Sequence, residues 1–208
     1  MVHAETPGAE APPQAPDLRR TLRIVAFAGS LRRASMNRGL LRAAAELAPP
    51  GVAVEPFDLR EIPFYDEDLR LAGPPPAVRE LKRRVAEADG LLIATPEYNH
   101  SFSAVTKNAI DWISRPPSES PLRELPVAVL GVSDGHFGTT RAQYHLRQVL
   151  TATRSNVMSS PSLFVFYGRD HTDEAGDLVD PELRERLRTF MAAFTTWIRR
   201  LQSEPEHE

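Results

Sequence analysis

Between residues 22 and 201 the chain alternates short apolar runs with longer stretches in which apolar residues recur every three or four positions. Leu22-Arg23-Ile24-Val25-Ala26-Phe27-Ala28 is rich in β-branched and apolar side chains and stops at Gly29, the pattern of a strand buried on both faces. Over 36–48, Leu40, Ala44 and Leu47 lie at helical spacing, and Pro49-Pro50-Gly51 ends the segment. Val52 to Phe57 reads as a second strand and 59–75 as irregular; Pro74-Pro75-Pro76 then leads into a helix with Val78, Leu81, Val85 and Ala88 on one stripe. Leu91 to Ala94 is the third strand, followed by a polar loop and a helix over 103–114 that puts Val105, Ala109 and Trp112 on one side. Pro126 to Val132 is the fourth strand, a helix over 139–151 turns Ala142, Leu146 and Val149 inward, and Leu163 to Phe166 is the fifth strand. A last helix from Pro181 to Leu201 aligns Leu183, Leu187, Phe190, Phe194 and Trp197.

Strands that alternate with amphipathic helices predict a parallel sheet covered on both faces, because parallel neighbours need crossovers and those crossovers are right-handed. The expected architecture is a three-layer α/β/α sandwich over 21–201. Residues 1–20, rich in Ala, Pro and Glu, and the polar residues 202–208 read as disordered tails. In such sheets ligands sit beyond the carboxyl ends of the strands, near the point where strand order reverses. The loops after the first, third and fourth strands are therefore the places to look for chemistry.

Composition narrows the choices. With 208 residues, 41% of them hydrophobic, the chain can bury one substantial core. Its 25 Lys and Arg against 28 Asp and Glu leave a net charge of −3, which lacks the basic surface that drives nucleic-acid binding. The absence of cysteine excludes a disulfide scaffold, a thiolate nucleophile and cysteine-ligated zinc or iron–sulfur sites, and it suits a reducing cytoplasm. No apolar run approaches the roughly 18 residues of a membrane helix, and the first twenty residues lack the core of a secretory signal. A cytoplasmic protein with no membrane partner is the expectation. Its histidines at 100, 136 and 145 show no metal-site spacing, so no metal is expected.

The first loop, Gly29 to Asn37, runs from a strand end into a helix start, where free amides and the helix dipole favour an anion. Ser30, Ser35 and Asn37 add neutral donors and Arg32 adds charge, while the Lys of a nucleotide-hydrolysing phosphate loop is missing. Helix capping by Ser35 or Asn37 is the competing explanation. The second loop is Thr95-Pro96-Glu97-Tyr98-Asn99-His100-Ser101, and the helix after it carries Lys107-Asn108-Ala109-Ile110-Asp111-Trp112. At their spacing Lys107 and Asp111 form a structural pair, and Trp112 packs inward. Gly131-Val132-Ser133-Asp134-Gly135 in the third loop spells the Gly-x-Ser-x-Gly of a serine hydrolase, with Asp170 and His171 following in triad order. Gly135 and Gly138 keep that loop irregular where a hydrolase helix would begin, and adjacent Asp170 and His171 are poorly placed to orient each other.

Gly-Ser-Leu-Arg-x-x-Ser-x-Asn, Thr-Pro-Glu-Tyr-Asn and Lys-Asn-Ala-Ile-Asp-Trp, in that order over roughly 22–200, resemble the NADPH-dependent FMN reductase family. This flavodoxin-like group includes azoreductases, quinone and chromate reductases and an arsenic-resistance flavoprotein. The resemblance implies a five-stranded parallel sheet in the order 2-1-3-4-5. It implies that Ser30, Arg32, Ser35, the Met36 amide and Asn37 grip the FMN phosphate, and that Pro96, Glu97, Tyr98 and Asn99 contact the flavin ring, largely through backbone. His100 would sit at the ring's rim, and Ser133 and Gly135 would complete the pocket. The chain departs from the common family pattern at Ser103-Ala104, where Pro-Gly is frequent, at Thr106, where an apolar residue is usual, and at Thr139-Thr140, where a glycine pair is frequent.

The implied activity is ping-pong transfer of hydride from NADPH or NADH through FMN N5 to a small oxidised acceptor such as a quinone, an azo compound, a metal ion or free flavin. Alignment of stacked rings suffices for that chemistry, so no catalytic side chain is nominated. A homodimer or homotetramer is implied, with Pro63-Phe64-Tyr65-Asp66-Glu67-Asp68 near the subunit interface. A flavodoxin-type electron carrier or a sensor are the other readings, the carrier disfavoured by the slight acidity.

Overall fold

The computed structural model describes residues 20–203; the remainder of both expected tails lies outside the described residues. Along the chain run β1 (Leu22–Ala28), α1 (Met36–Glu46), β2 (Val52–Phe57), α2 (Glu67–Ala72), α3 (Pro76–Ala86), β3 (Gly90–Ala94), the short strands β4 (Glu97–Tyr98) and β5 (Ser101–Phe102), and α4 (Ala104–Ile113). β6 (Pro126–Val132), α5 (Thr140–Ala152), β7 (Asn156–Val157), β8 (Leu163–Val165) and α6 (Pro181–Ser203) complete it.

The main sheet is parallel, in the order β2-β1-β3-β6, with β7 and β8 both pairing to the far side of β6. Alternate strand residues point to opposite faces. Ile24, Ala26, Leu92 and Leu130 meet Leu40 and Ala44 of α1 and Leu187, Phe190 and Phe194 of α6. Val25, Phe27, Leu91, Ile93 and Val127 meet Val78, Leu81 and Val85 of α3, Ile110 and Trp112 of α4 and Leu146 of α5. Two apolar layers between one sheet and two helix layers make the predicted α/β/α sandwich, and the order corresponds to 2-1-3-4-5 with the fifth position shared by two fragments.

That sharing corrects the sequence expectation of one strand over 163–166. Asn156 and Val157 pair with Pro126 and Val127 at the start of β6, while Leu163 to Val165 pair with Leu130 to Val132 at its end. Ser159-Ser160-Pro161-Ser162 separates them, and proline has no amide for a ladder. A second correction is α2 inside the supposedly irregular 59–75. It buries no side chain, so no apolar stripe announces it; Asp66 caps it by accepting from the amides of Asp68 at 2.8 Å and Leu69 at 3.4 Å. Thirdly, α6 continues two residues past Leu201, and Trp197 is only half-buried, donating from Nε1 to the Asn156 carbonyl at 3.2 Å, while Ile198 takes the core position.

Register brings the upper ends of the central strands level. Ala28 of β1 pairs with Ala94 of β3, which pairs with Leu130 of β6. The loops after these three strands therefore emerge side by side.

Candidate functional site

Where those three loops meet they enclose a cavity of about 380 Å3. All twelve residues expected to bind a cofactor line it: Ser30, Arg32, Ser35, Met36 and Asn37 from the first loop, Pro96, Glu97, Tyr98, Asn99 and His100 from the second, Ser133 and Gly135 from the third. Val132, Asp134 and Phe137 line it as well and were not singled out in the sequence. Phe137, an apolar residue between two loop glycines, was the one with a readable signal.

The first wall has the character of an anion cradle. Ser30, Ser35 and Asn37 are buried, and Ser35 Oγ caps α1 by accepting from the Arg38 amide at 3.3 Å. Met36 and Asn37 open the helix, where main-chain N–H groups have no carbonyl one turn back. The Arg32 guanidinium is exposed and has no ion-pair partner among the described residues. Arg60 braces the loop by donating to the Leu31 carbonyl at 3.0 Å while holding Asp58 at 2.8 Å.

Asn37 has a structural task as well as its place in the cavity wall. Its carboxamide donates to the Val132 carbonyl at 2.9 Å and accepts from the Val132 amide at 3.1 Å, so the side chain ties the first loop to the end of β6. Its main-chain amide stays free for a ligand.

The second wall is a tight hairpin that periodicity does not reveal. β4 and β5 pair Glu97 with Phe102 and Tyr98 with Ser101, and the two connecting residues, Asn99 and His100, both take positive φ, 50° and 64°. Such a two-residue turn matches strand twist, and Asn and His tolerate the left-handed region better than most residues. The turn holds the Tyr98 ring half-exposed over the cavity mouth. Glu97 is buried to 7% side-chain exposure and accepts from the Ala142 amide at 3.2 Å, with Arg141 Nη1 3.8 Å away. Its carboxylate thus caps the positive end of α5 and clamps the hairpin to the third loop.

Beneath both loops lies a chain of buried hydroxyls. Ser103 Oγ donates to the Gly29 carbonyl at 2.7 Å and caps α4 by accepting from the Thr106 amide at 3.2 Å. Thr106 Oγ1 lies 3.0 Å from Ser103 Oγ and 3.3 Å from Thr95 Oγ1, and Thr95 donates to the Pro96 carbonyl at 3.1 Å. The departures from the family pattern at 103 and 106 therefore form one polar unit. Gly29 has no Cβ because one would overlap the hydroxyls of Thr106 and Ser103.

In the third wall, Ser133 spends its main chain on Val165 and Gly168, donating at 3.1 Å and accepting at 3.0 Å. Asp134 accepts from the Arg169 amide at 3.1 Å and from its Nε at 2.9 Å. Phe137 carries the Arg141 guanidinium 3.4 Å over its ring centroid and the edges of His100 and His136 at 6.0 and 5.6 Å. Thr139 sits buried at φ 67°, strained for a β-branched residue, where a glycine would be at ease.

This geometry excludes a nucleophile elbow. Ser133 lacks the positive φ of a strained turn, and the helix starts seven positions later, at Thr140. The Leu183 amide, and after it His171 Nδ1 at 2.6 Å, hold the Asp180 carboxyl below its usual range, so His171 is committed to Asp180. No group of three or more His, Asp or Glu among the described residues could hold a metal. As expected, Lys107 pairs with Asp111 at 2.7 and 2.9 Å, and Trp112 is core, donating to the Pro63 carbonyl at 2.8 Å.

A model of the NADPH-dependent FMN reductase family matches residues 22–169. Over 181 residues the chain is 43% identical to an NAD(P)H-dependent FMN reductase of Pseudomonas aeruginosa, covering 87% of this chain and 97% of that one. It is 39% identical over 178 residues to a 2-hydroxy-1,4-benzoquinone reductase of a Burkholderia species, covering 86% and 97%. Among solved structures, the NAD(P)H:(acceptor) oxidoreductase FerB of Paracoccus denitrificans superposes with a TM-score of 0.79 at 32% identity, covering 86% of this chain and 98% of that one.

Proposed function

This chain belongs to the NADPH-dependent FMN reductase family of oxidoreductases, and from that premise we propose that its cavity holds FMN and serves a small oxidised acceptor, a quinone first among them. The observation that carries the reading is the convergence of all twelve anticipated residues on one cavity. Held by these residues, FMN would supply the hydride exchange between NADPH or NADH and the acceptor.

The donor set fits a phosphorylated aromatic ligand. Ser30, Ser35, the amides of Met36 and Asn37, and unpaired Arg32 supply neutral and charged donors for a phosphate dianion at a helix N-terminus. Pro96, Tyr98, Val132 and Phe137 supply apolar and aromatic surface for a ring, in a volume within the about 300–1,000 Å3 of small-molecule sites. The chain's work is orientation. Asn37 fixes the first loop against the third, Glu97 fixes the second against α5, and the Asn99-His100 turn holds Tyr98 at the mouth. With the rings held in register, no side chain has to give or take a proton.

A homo-oligomer accompanies this reading. Phe64 is 79% exposed in the segment expected at a subunit interface, and Leu71 of α2 is 69% exposed beside it in sequence. No helix among the described residues is long and apolar enough to cross a membrane.

The test is purification without added cofactor, a visible spectrum, and anaerobic addition of NADPH and of NADH before quinones, azo dyes, chromate and ferric chelates are screened. A flavin spectrum that bleaches within seconds and recovers with an acceptor is expected. A colourless protein that takes up no FMN overturns the reading, and a bound flavin that NAD(P)H does not reduce favours an electron carrier.

A further inference from the structure

A second depression of about 280 Å3 opens beside the phosphate end of the main cavity. Arg32, Met36 and Asp134 line both, so the two depressions adjoin at these side chains. Beyond the shared residues its walls are Ala34, Arg169, Thr172 and the turn Asp173 to Gly176.

Charge in this extension is arranged asymmetrically. Asp134 has one oxygen on the Arg169 amide and the other on Arg169 Nε, and Asp173 accepts from the Asp177 amide at 2.8 Å to close its own turn. Those two carboxylates are committed to structure. Arg169, bound only through its amide and Nε, is 80% exposed and presents both terminal nitrogens outward. Arg32 has no ion-pair partner among the described residues. Two guanidiniums with donors to spare therefore line a depression to which Ala34 and Met36 add apolar surface. Guanidinium forks suit phosphate oxygens, and an apolar floor suits a flat base.

Resting on the FMN reading of the main cavity, we infer that this extension is an adenylate subsite, so that the protein binds the flavin dinucleotide FAD as well as FMN. The ring and first phosphate take the main cavity. The second phosphate lies between Arg32 and Arg169, and the adenosine lies along Ala34, Met36 and Thr172. Asp173, which holds only a backbone amide, and Glu174, which has no hydrogen bond or ion pair among the described residues, are the two acids without a cation partner that oppose the added phosphate.

The experiment strips flavin from the full-length protein and measures riboflavin, FMN and FAD binding by calorimetry. Riboflavin reports the ring alone, FMN adds one phosphate, and FAD adds the adenylate. FAD is expected to bind within about tenfold of FMN, with both far tighter than riboflavin. Arg169→Ala should weaken FAD about tenfold more than it weakens FMN, whose cavity shares Asp134 with this depression, and Glu174→Arg, on an exposed turn, should tighten FAD alone. FMN binding with FAD no better than riboflavin overturns the inference and leaves the FMN site standing. Equal losses of FMN and FAD in Arg169→Ala also overturn it. If neither FMN nor FAD exceeds riboflavin, the phosphate assignment of the first loop fails, and the adenylate subsite with it.

Discussion

The carboxamide of Asn37 and the main chain of Val132 form a closed two-point contact, with the amide nitrogen 2.9 Å from the carbonyl and the carbonyl oxygen 3.1 Å from the amide. Asn37→Ala leaves two buried backbone groups without partners and should cost about 2–4 kcal/mol of stability. Asn37→Asp should cost more, since a carboxylate oxygen then faces the Val132 carbonyl. Denaturant unfolding of the flavin-free protein measures both. A loss under about 0.5 kcal/mol, the scale of an ordinary surface substitution, would show that the contact holds nothing together.

The anion cradle is tested by combining Arg32→Ala with Ser35→Ala. Ser35→Ala removes a helix cap worth about 1 kcal/mol in its own right, so unfolding must be followed alongside FMN retention. The double variant should lose FMN affinity by roughly 100-fold, through one charge-assisted contact and one hydroxyl. Full FMN retention would put the phosphate elsewhere.

At Thr139 two effects oppose each other. The left-handed backbone costs about 1–2 kcal/mol for an L-residue with a side chain, while Oγ1 accepts from buried Gln143 Nε2 at 3.0 Å, a bond worth about 0.5–1.5 kcal/mol. Thr139→Ala keeps the strain and loses the bond. Thr139→Gly loses both, and Gln143 Nε2 retains the Leu163 carbonyl at 2.9 Å. The glycine variant should therefore melt above the alanine variant; the reverse order would mean the strain is not there to be relieved.

Two surface carboxyls predict an acid limb. Glu67, held by Arg70 and Tyr65, and Glu80, held by Arg83 and Arg84, are each lowered from 4.5 to about 2. A folded pKa below the unfolded one gives stability that is fully present above pH 4.5 and lost as pH falls toward 2. Both groups are solvent-exposed, so the contribution is small and salt weakens it. Melting temperature should fall over that window, with a shallower slope for Glu80→Gln and in high salt. An unchanged slope in both would remove these pairs from the account.

The strands and the helices that flank them were legible because each must bury an apolar face, and burial writes itself as periodicity. The site's location was legible too, since the crevice follows from where parallel strands end. α2 was missed because it buries nothing, though Asp66 before Glu67 and Asp68 was a cap in plain view. The hairpin was missed because two-residue strands are too short for a period, and Asn99-His100 was its signal. The partners of Asn37 and Glu97 could not be read, since Val132 and Ala142 lie 95 and 45 positions away and meet them only once the sheet has formed.

The divided fifth position has a bearing on how the molecule behaves in a crowd. A margin made of a two-residue and a three-residue piece offers no run of free amides and carbonyls for a stranger's chain to extend, and the opposite margin, β2, carries Pro56. Both sides are poor templates for edge-on growth, and the ragged outline of the sheet works against fibril formation.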